Sequence, residues 1–150
     1  MSMFGGLDIS ASGLTAQRMR MDVTAENLAN AQTTKGADGQ PYRRKEVVLQ
    51  QIPGSGGGFG AQLTAAIGTG SKSPAGGVEV AQIATDKTPG KLTYDPGNPD
   101  ANAQGYVQMP NVDTVTEMVD MIDSSRAYDA NVTAMSASKQ MFAKTLDLLK

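Results

Sequence analysis

The chain has no histidine, no cysteine and no tryptophan. Without histidine there is no Ser-His-Asp or Cys-His nucleophile and no imidazole metal ligand. Without cysteine, disulfides, thiolate chemistry and Cys-based metal sites are excluded. Aromatic residues make up 5% and hydrophobic residues 39%, thin material for a core, while 17 glycines and 7 prolines point to turn-rich portions. The net charge of −2 supplies no broad basic surface, so nucleic acid is not an expected partner. The one basic cluster, Arg43-Arg44-Lys45, reads as a solvated strand end. No apolar run is long enough to cross a bilayer. The start, MSMFGGLDISASGL, lacks the basic opening and unbroken apolar stretch of a cleavable secretory signal. If the protein leaves the cytoplasm, it is expected to use a route that does not read such a signal.

Three regions differ in texture, and together they predict an α+β chain. Residues 1–35 are expected to hold a helix and its exit. There Leu7, Leu14, Met21 and Leu28 recur every seven residues, giving one narrow apolar stripe before the pattern fails beyond Asn30. Residues 36–110 form a small β-rich middle. Strands are expected within Tyr42–Ile52, Gly77–Asp86, Leu92–Tyr94 and Tyr106–Met109. A Gly-rich stretch, 53–77, reads as a flexible loop, and Asp95-Pro-Gly-Asn-Pro-Asp100 reads as a turn.

Residues 111–150 predict a second, long, coiled-coil-like helix. Thr114-Val-Thr-Glu117 has the form of a capping box, with Asp113 as the other candidate cap. Acidic residues lie near its start and lysines toward its end, matching the helix dipole. Along it run Met118, Met121, Ser125, Tyr128, Val132, Met135, Lys139, Phe142, Leu146 and Leu149, in steps of three and four. Two such stripes can close on each other within one chain, which is the default for amphipathic helices. A helix this long, with little globular body behind it, points equally to burial against other chains.

Chemistry-bearing patterns are scarce. The Gly-rich loop lacks the Gly-Lys-Ser/Thr of a phosphate cradle. Asp95, Asn98 and Asp100 lack EF-hand spacing and its closing Glu, and turn chemistry explains them. Asp120, Asp123 and Asp129 fall at mixed angles on one helix and define no carboxylate pair. Tyr128 sits on the apolar stripe, and Ser124-Ser125 has no evident base. No catalytic, cofactor-binding or metal-ligating residue, no cofactor and no small-molecule substrate is expected.

The segment ISASGLTAQRMRMDVTAENLANAQTTKG resembles the N-terminal signature of the bacterial flagellar axial proteins, which build rod and hook. Their usual form ends Ala-Asn-Asn-Leu-Ala-Asn-x-x-Thr-x-Gly. Here Ala25, Asn27, Leu28, Ala29, Asn30 and Thr33 fit, and Glu26 stands where a second Asn is common. Many members place an aromatic directly after the Gly. This chain has Ala37 and reaches Tyr42-Arg43-Arg44-Lys45 after an extra turn. That departure, with YDPGNPDA, GYVQMPNVD and SRAYDANV, makes the resemblance closest to the proximal-rod branch of the basal-body rod protein family. It spans nearly the whole chain and weakens only over 53–77.

The resemblance implies a structural subunit that assembles helically with copies of itself and with other rod proteins to transmit torque. It implies export through the flagellar apparatus without a cleaved signal, and residence in the periplasmic rod. The expected assembly surface is Leu7, Leu14, Met21 and Leu28 on the first helix. On the second it is Met118, Met121, Tyr128, Val132, Met135, Phe142, Leu146 and Leu149. The alternatives are another axial protein, distal rod or hook, and, from a different class, an exported ligand-binding module or peptidoglycan-acting enzyme.

Overall fold

The computed structural model describes residues 3–36, 38–52 and 76–147. The expected loop 53–77 therefore lies outside the described residues except at its last two positions. The element order is α1 (Met3–Ala29), β1 (Lys45–Gln51), β2 (Val78–Thr85), β3 (Leu92–Tyr94), β4 (Tyr106–Gln108) and α2 (Thr114–Asp147). The chain is α+β, with a helix at each end of a small β-rich middle, as the sequence implies.

α1 ends where its side chains turn back on the backbone. Asn30 donates from Nδ2 to the Glu26 carbonyl at 2.9 Å and accepts at Oδ1 from the Thr33 hydroxyl at 3.2 Å. The Thr33 amide then bonds the Asn30 carbonyl, and the Thr33 carbonyl receives the Tyr42 amide at 3.2 Å. Asn30 and Thr33 thus convert the helix exit into the return loop.

α2 runs 34 residues, about 50 Å at roughly 1.5 Å per residue, with no Gly or Pro to break it. Its cap is Asp113, whose Oδ1 accepts the Val115 amide at 2.9 Å. The capping box does not form. The Glu117 side chain, which would have reached back toward the cap, is drawn into buried contacts with Arg44 and Asn27.

β1 pairs with β2, and β3 with β4. The first pair is antiparallel: residue 44 meets 86, and 52 meets 76 and 77. The second is antiparallel in the register Leu92↔Gln108, Thr93↔Val107 and Tyr94↔Tyr106. Hydrogen bonds from the Asp95 amide to Gly105 and from the Met109 amide to Lys91 fix which main-chain groups face inward. The groups of residues 92, 94, 106 and 108 consequently point away from the partner strand. The 95–100 segment is a turn held by its own side chains. Asp95 accepts the Gly97 amide, and Asn98 accepts the Asp100 amide.

The chain divides into two compact units. One comprises the described parts of Met1–Gln17, Leu49–Ala81 and Ala127–Lys150. Here Gly13 lies against Asn131, where an added Cβ would sit 3.1 Å from the side-chain nitrogen. Ser12 donates to the Ile9 carbonyl and accepts the Val78 amide, so α1 holds the start of β2. Gly77 is buried at φ +123°, and a Cβ there would lie 2.5 Å from the Ser12 hydroxyl. Only glycine suits that conformation and that space.

The other unit comprises Arg18–Val48 and Gln82–Arg126. It buries Val23, Thr24, Asn27, Val107, Glu117 and Ser124. Four of these six are polar: Asn27 and Glu117 are bonded to each other, whereas the buried Ser124 hydroxyl has no hydrogen-bond partner among the described residues.

Candidate functional site

The centre of the second unit is a clamp built on Asn27, which is 1% exposed. An asparagine amide offers two donors and two acceptor sites, and all four are used. Oδ1 accepts the Tyr42 hydroxyl and the Lys45 amide, each at 2.9 Å. Nδ2 donates to the Lys45 carbonyl at 2.8 Å and to Glu117 Oε2 at 3.0 Å. The side chain thus bonds both main-chain groups of Lys45, as a neighbouring strand would, and closes the end of β1 with an element of α1.

Glu117 is equally buried, at 1%. A buried carboxylate is costly unless paired and hydrogen-bonded. Its Oε1 receives Arg44 Nε at 2.5 Å, while Oε2 is held by Asn27. Arg44 extends the network through Nη2 to Asp120 at 3.3 Å. Its amide donates to Asn111 Oδ1 at 2.7 Å, and its carbonyl accepts the Asp86 amide at 2.8 Å. At the rim, Lys45 pairs with Glu26.

The electrostatics follow from this arrangement. Burial, then the charges of Glu26 and Glu117, push the Tyr42 hydroxyl up to about 12, which keeps it a donor to Asn27. The hydrogen bond to Glu117 outweighs burial and raises Arg44 further above its already high value. The network is a lock joining α1, β1 and α2. Among the described residues no group of three or more acidic side chains could hold a metal ion.

The basic cluster departs from the solvated strand end expected of it. Arg43 is exposed, but Arg44 is the cation of the buried pair and Lys45 is bound through both backbone and side chain. The motif residues separate by role. Asn27 is the hub, Asn30 and Thr33 build the helix exit, Leu28 is half-buried and Ala29 is exposed. Sequence reasoning missed Tyr42, Arg44, Asn111 and Glu117 as parts of one site. No local signal marked them, since a Glu in the first turn of a helix suits the helix dipole on its own.

The helix stripes divide as well. Leu7, Leu14, Met21, Met121, Tyr128 and Met135 are half-buried, whereas Met118, Val132, Phe142 and Leu146 are exposed. Leu149 lies outside the described residues. On α2 the inward line is Glu117, Met121, Ser124, Tyr128, Asn131, Met135 and Ser138. The exposed apolar line at its start is Val115, Met118, Val119 and Ile122, of which the sequence reading picked out only Met118.

Comparison with known proteins places this geometry. The family described as "Flagella basal body rod protein" matches residues 7–37, and "Flagellar basal body rod FlgEFG protein C-terminal" matches residues 103–148. The flagellar basal-body rod protein FlgC of Bacillus subtilis is 50% identical, covering 100% of both chains. That of Escherichia coli O6:H1 is 47% identical over 99% of this chain and 98% of its own. That of Borreliella burgdorferi is 42% identical over 100% and 99%. Asn27 and Glu117, the two ends of the clamp's buried bond, each fall inside one of the two matched segments. The chain belongs to the FlgC family of flagellar basal-body rod proteins.

Proposed function

We propose that this chain is a non-catalytic building block of the proximal flagellar rod. It assembles helically with copies of itself and with other rod subunits, and transmits torque across the periplasm. The observation that carries the reading is an imbalance of apolar surface. Among the described residues, three hydrophobic side chains are buried (Ala16, Val23, Val107), while fifteen large ones are exposed. Isolated soluble chains seldom leave so much apolar surface without a partner. On α2 the exposed residues fall at helical spacing, which fits a helix packed by neighbours rather than by its own body.

The assembly surface is the exposed part of the expected stripes, Met118, Val132, Phe142 and Leu146, extended by Val115, Val119 and Ile122, while the half-buried Leu7, Leu14, Met21, Leu28, Met121, Tyr128 and Met135 contribute only their exposed edges. A heterologous contact that does not close generates such a tube. Export through the flagellar apparatus belongs to the same reading. The three stretches 1–35, 36–110 and 111–150 serve as helix, body and helix.

The test is incorporation into basal bodies in cells lacking the native subunit. Met118→Asp, at a side chain 47% exposed, is expected to leave the monomer's unfolding midpoint unchanged and to abolish motility. Asp123→Ala, on the polar face, is expected to assemble normally. Normal rods from Met118→Asp would refute the surface assignment. Rods that form without the chain would refute the function.

A further inference from the structure

Beside the β3–β4 hairpin lies an open groove of about 400 Å³. One wall is the hairpin, through Leu92, Tyr106 and Gln108; the other is the loop after α1, through Thr34, Lys35 and Pro41. Asp100 and Asn102 form its end. The volume lies in the range of ligand sites, about 300–1,000 Å³.

Two features of the wall stand out. The first is the hairpin's outer edge. Register turns the main-chain groups of Tyr106 and Gln108 outward from β3. Those of Tyr106 are taken up by Asn102, which accepts the Tyr106 amide at Oδ1 and donates its own amide to the Tyr106 carbonyl. The outward N–H and C=O of Gln108 meet no hydrogen-bond partner among the described residues and are open to the groove that this residue lines. The second is the exposed face. Leu92 is 61% exposed, Tyr94 65% and Tyr106 42%, and Tyr94 meets Tyr106 edge to face at 5.2 Å. A chain with four tyrosines leaves two of them in the open on three-residue strands.

We infer that this groove receives an extended polypeptide segment of a neighbouring rod subunit, which adds to the free edge of β4. Strand addition draws affinity from main-chain hydrogen bonds and selectivity from pockets for alternate side chains. Gln108 supplies the main-chain pair. The planar amide of Asn102 offers an Nδ2 without a partner among the described residues, a group of the kind with which Asn27 binds the Lys45 backbone in this same unit. Leu92 and Tyr106 supply the apolar contact for the segment's inward side chain. Lys35, 63% exposed and only loosely paired with Asp100 at 3.7 Å, supplies a cation at the rim for an acidic residue on the segment.

The inference rests on the rod reading, and the experiment separates the two. p-Benzoylphenylalanine is placed at Leu92, and in a second strain at Thr93, whose side chain points to the opposite face of β3. Basal bodies are isolated, irradiated and digested for mass spectrometry. Presence of the chain in them tests the rod reading on its own. The expected result is a peptide adduct from position 92, mapped to one short segment of an axial subunit, at least fivefold above that from Thr93. Leu92→Asp, in a strain without the photocrosslinker, is expected to keep the monomer's unfolding midpoint and lower incorporation severalfold. Incorporated chain with no adduct above the Thr93 level overturns the inference, as does an adduct on a glycan or an adduct scattered over many segments.

Discussion

Replacing Asn27 by Asp changes one atom group and removes the donor of two hydrogen bonds. Nδ2 donates to the Lys45 carbonyl at 2.8 Å and to Glu117 Oε2 at 3.0 Å. A carboxylate in its place would face two acceptors, one of them charged. Two like charges about 3 Å apart repel by about 5–6 kcal/mol at an effective dielectric constant of about 20. The protein has a cheaper escape, which is to protonate the introduced carboxyl. From an ordinary value near 3.9, that costs about 4 kcal/mol at pH 7 and about 1.5 kcal/mol at pH 5. The penalty of Asn27→Asp is thus expected to be about 4 kcal/mol at pH 7 and to shrink by about 2–3 kcal/mol at pH 5. The sign follows from linkage. The introduced group has a folded-state pKa above its unfolded value, so its stability contribution is greatest at low pH and is lost as pH rises. Asn27→Ala removes the same bonds without adding charge and should cost about 2–4 kcal/mol from unsatisfied buried groups, equally at both pH values. Urea unfolding followed by circular dichroism, each variant against wild type at the same pH, reads the difference. Amide exchange at Lys45 localises it. If Asn27→Asp is flat between pH 7 and pH 5, or milder than Asn27→Ala at pH 7, the amide does not donate to Glu117 and the clamp is wrongly drawn.

Two further substitutions test the neighbouring contacts. The Tyr42 hydroxyl, raised to about 12 from an ordinary 10, makes its contribution in full below pH 10. Wild-type stability is expected to fall as pH rises from 10 to 12, and Tyr42→Phe, already without the bond, should lack that slope in alkaline urea titrations. In the other unit, Gly77→Ala forces a Cβ to 2.5 Å from the Ser12 hydroxyl at a φ of +123° and should destabilise by about 1–3 kcal/mol. Adding Ser12→Ala should recover part of the loss, because it removes the clash and leaves the backbone strain; strict additivity in the double-mutant cycle would contradict that close approach.

The elements were legible because each carries a local cause. α2 follows from 34 residues without Gly or Pro behind an Asp cap, and the strands from β-branched runs between turn residues. The turn at 95–100 follows from Asp and Asn side chains that bond their own backbone. The clamp was not legible, because its members lie far apart in sequence and each has a bland local reading. Glu117 looked like a capping partner and Arg44 like surface charge. Tertiary burial overrode both, since a carboxylate placed 1% exposed must find a cation and donors, and Arg44 and Asn27 are within reach. The stripe on α2 was half-legible. Period alone finds an apolar line but cannot say which of two adjacent lines turns inward. Here the inward one carries Glu117, Ser124 and Asn131, and the more apolar line at the helix start stays outside.

That inversion has a physical rationale in register. Apolar contacts tolerate sliding, whereas the Asn27 amide does not. Along β1, main-chain groups alternate between its two edges. Those of Lys45 face Asn27, and the carbonyl of Arg44, one residue earlier, faces β2 and receives the Asp86 amide. A slip of one residue would present Asn27 with groups aimed the wrong way and would turn every strand side chain to the opposite face. The same amide also reaches Glu117, so one side chain sets α1, β1 and α2 in a single arrangement. Polar contacts of this kind contribute little net stability but exclude alternatives. With register fixed by Asn27, Glu117 and Arg44, the fold has no need of Val115, Met118, Val119 and Ile122 for its own interior, and they are left on the outside where a neighbouring subunit can bury them.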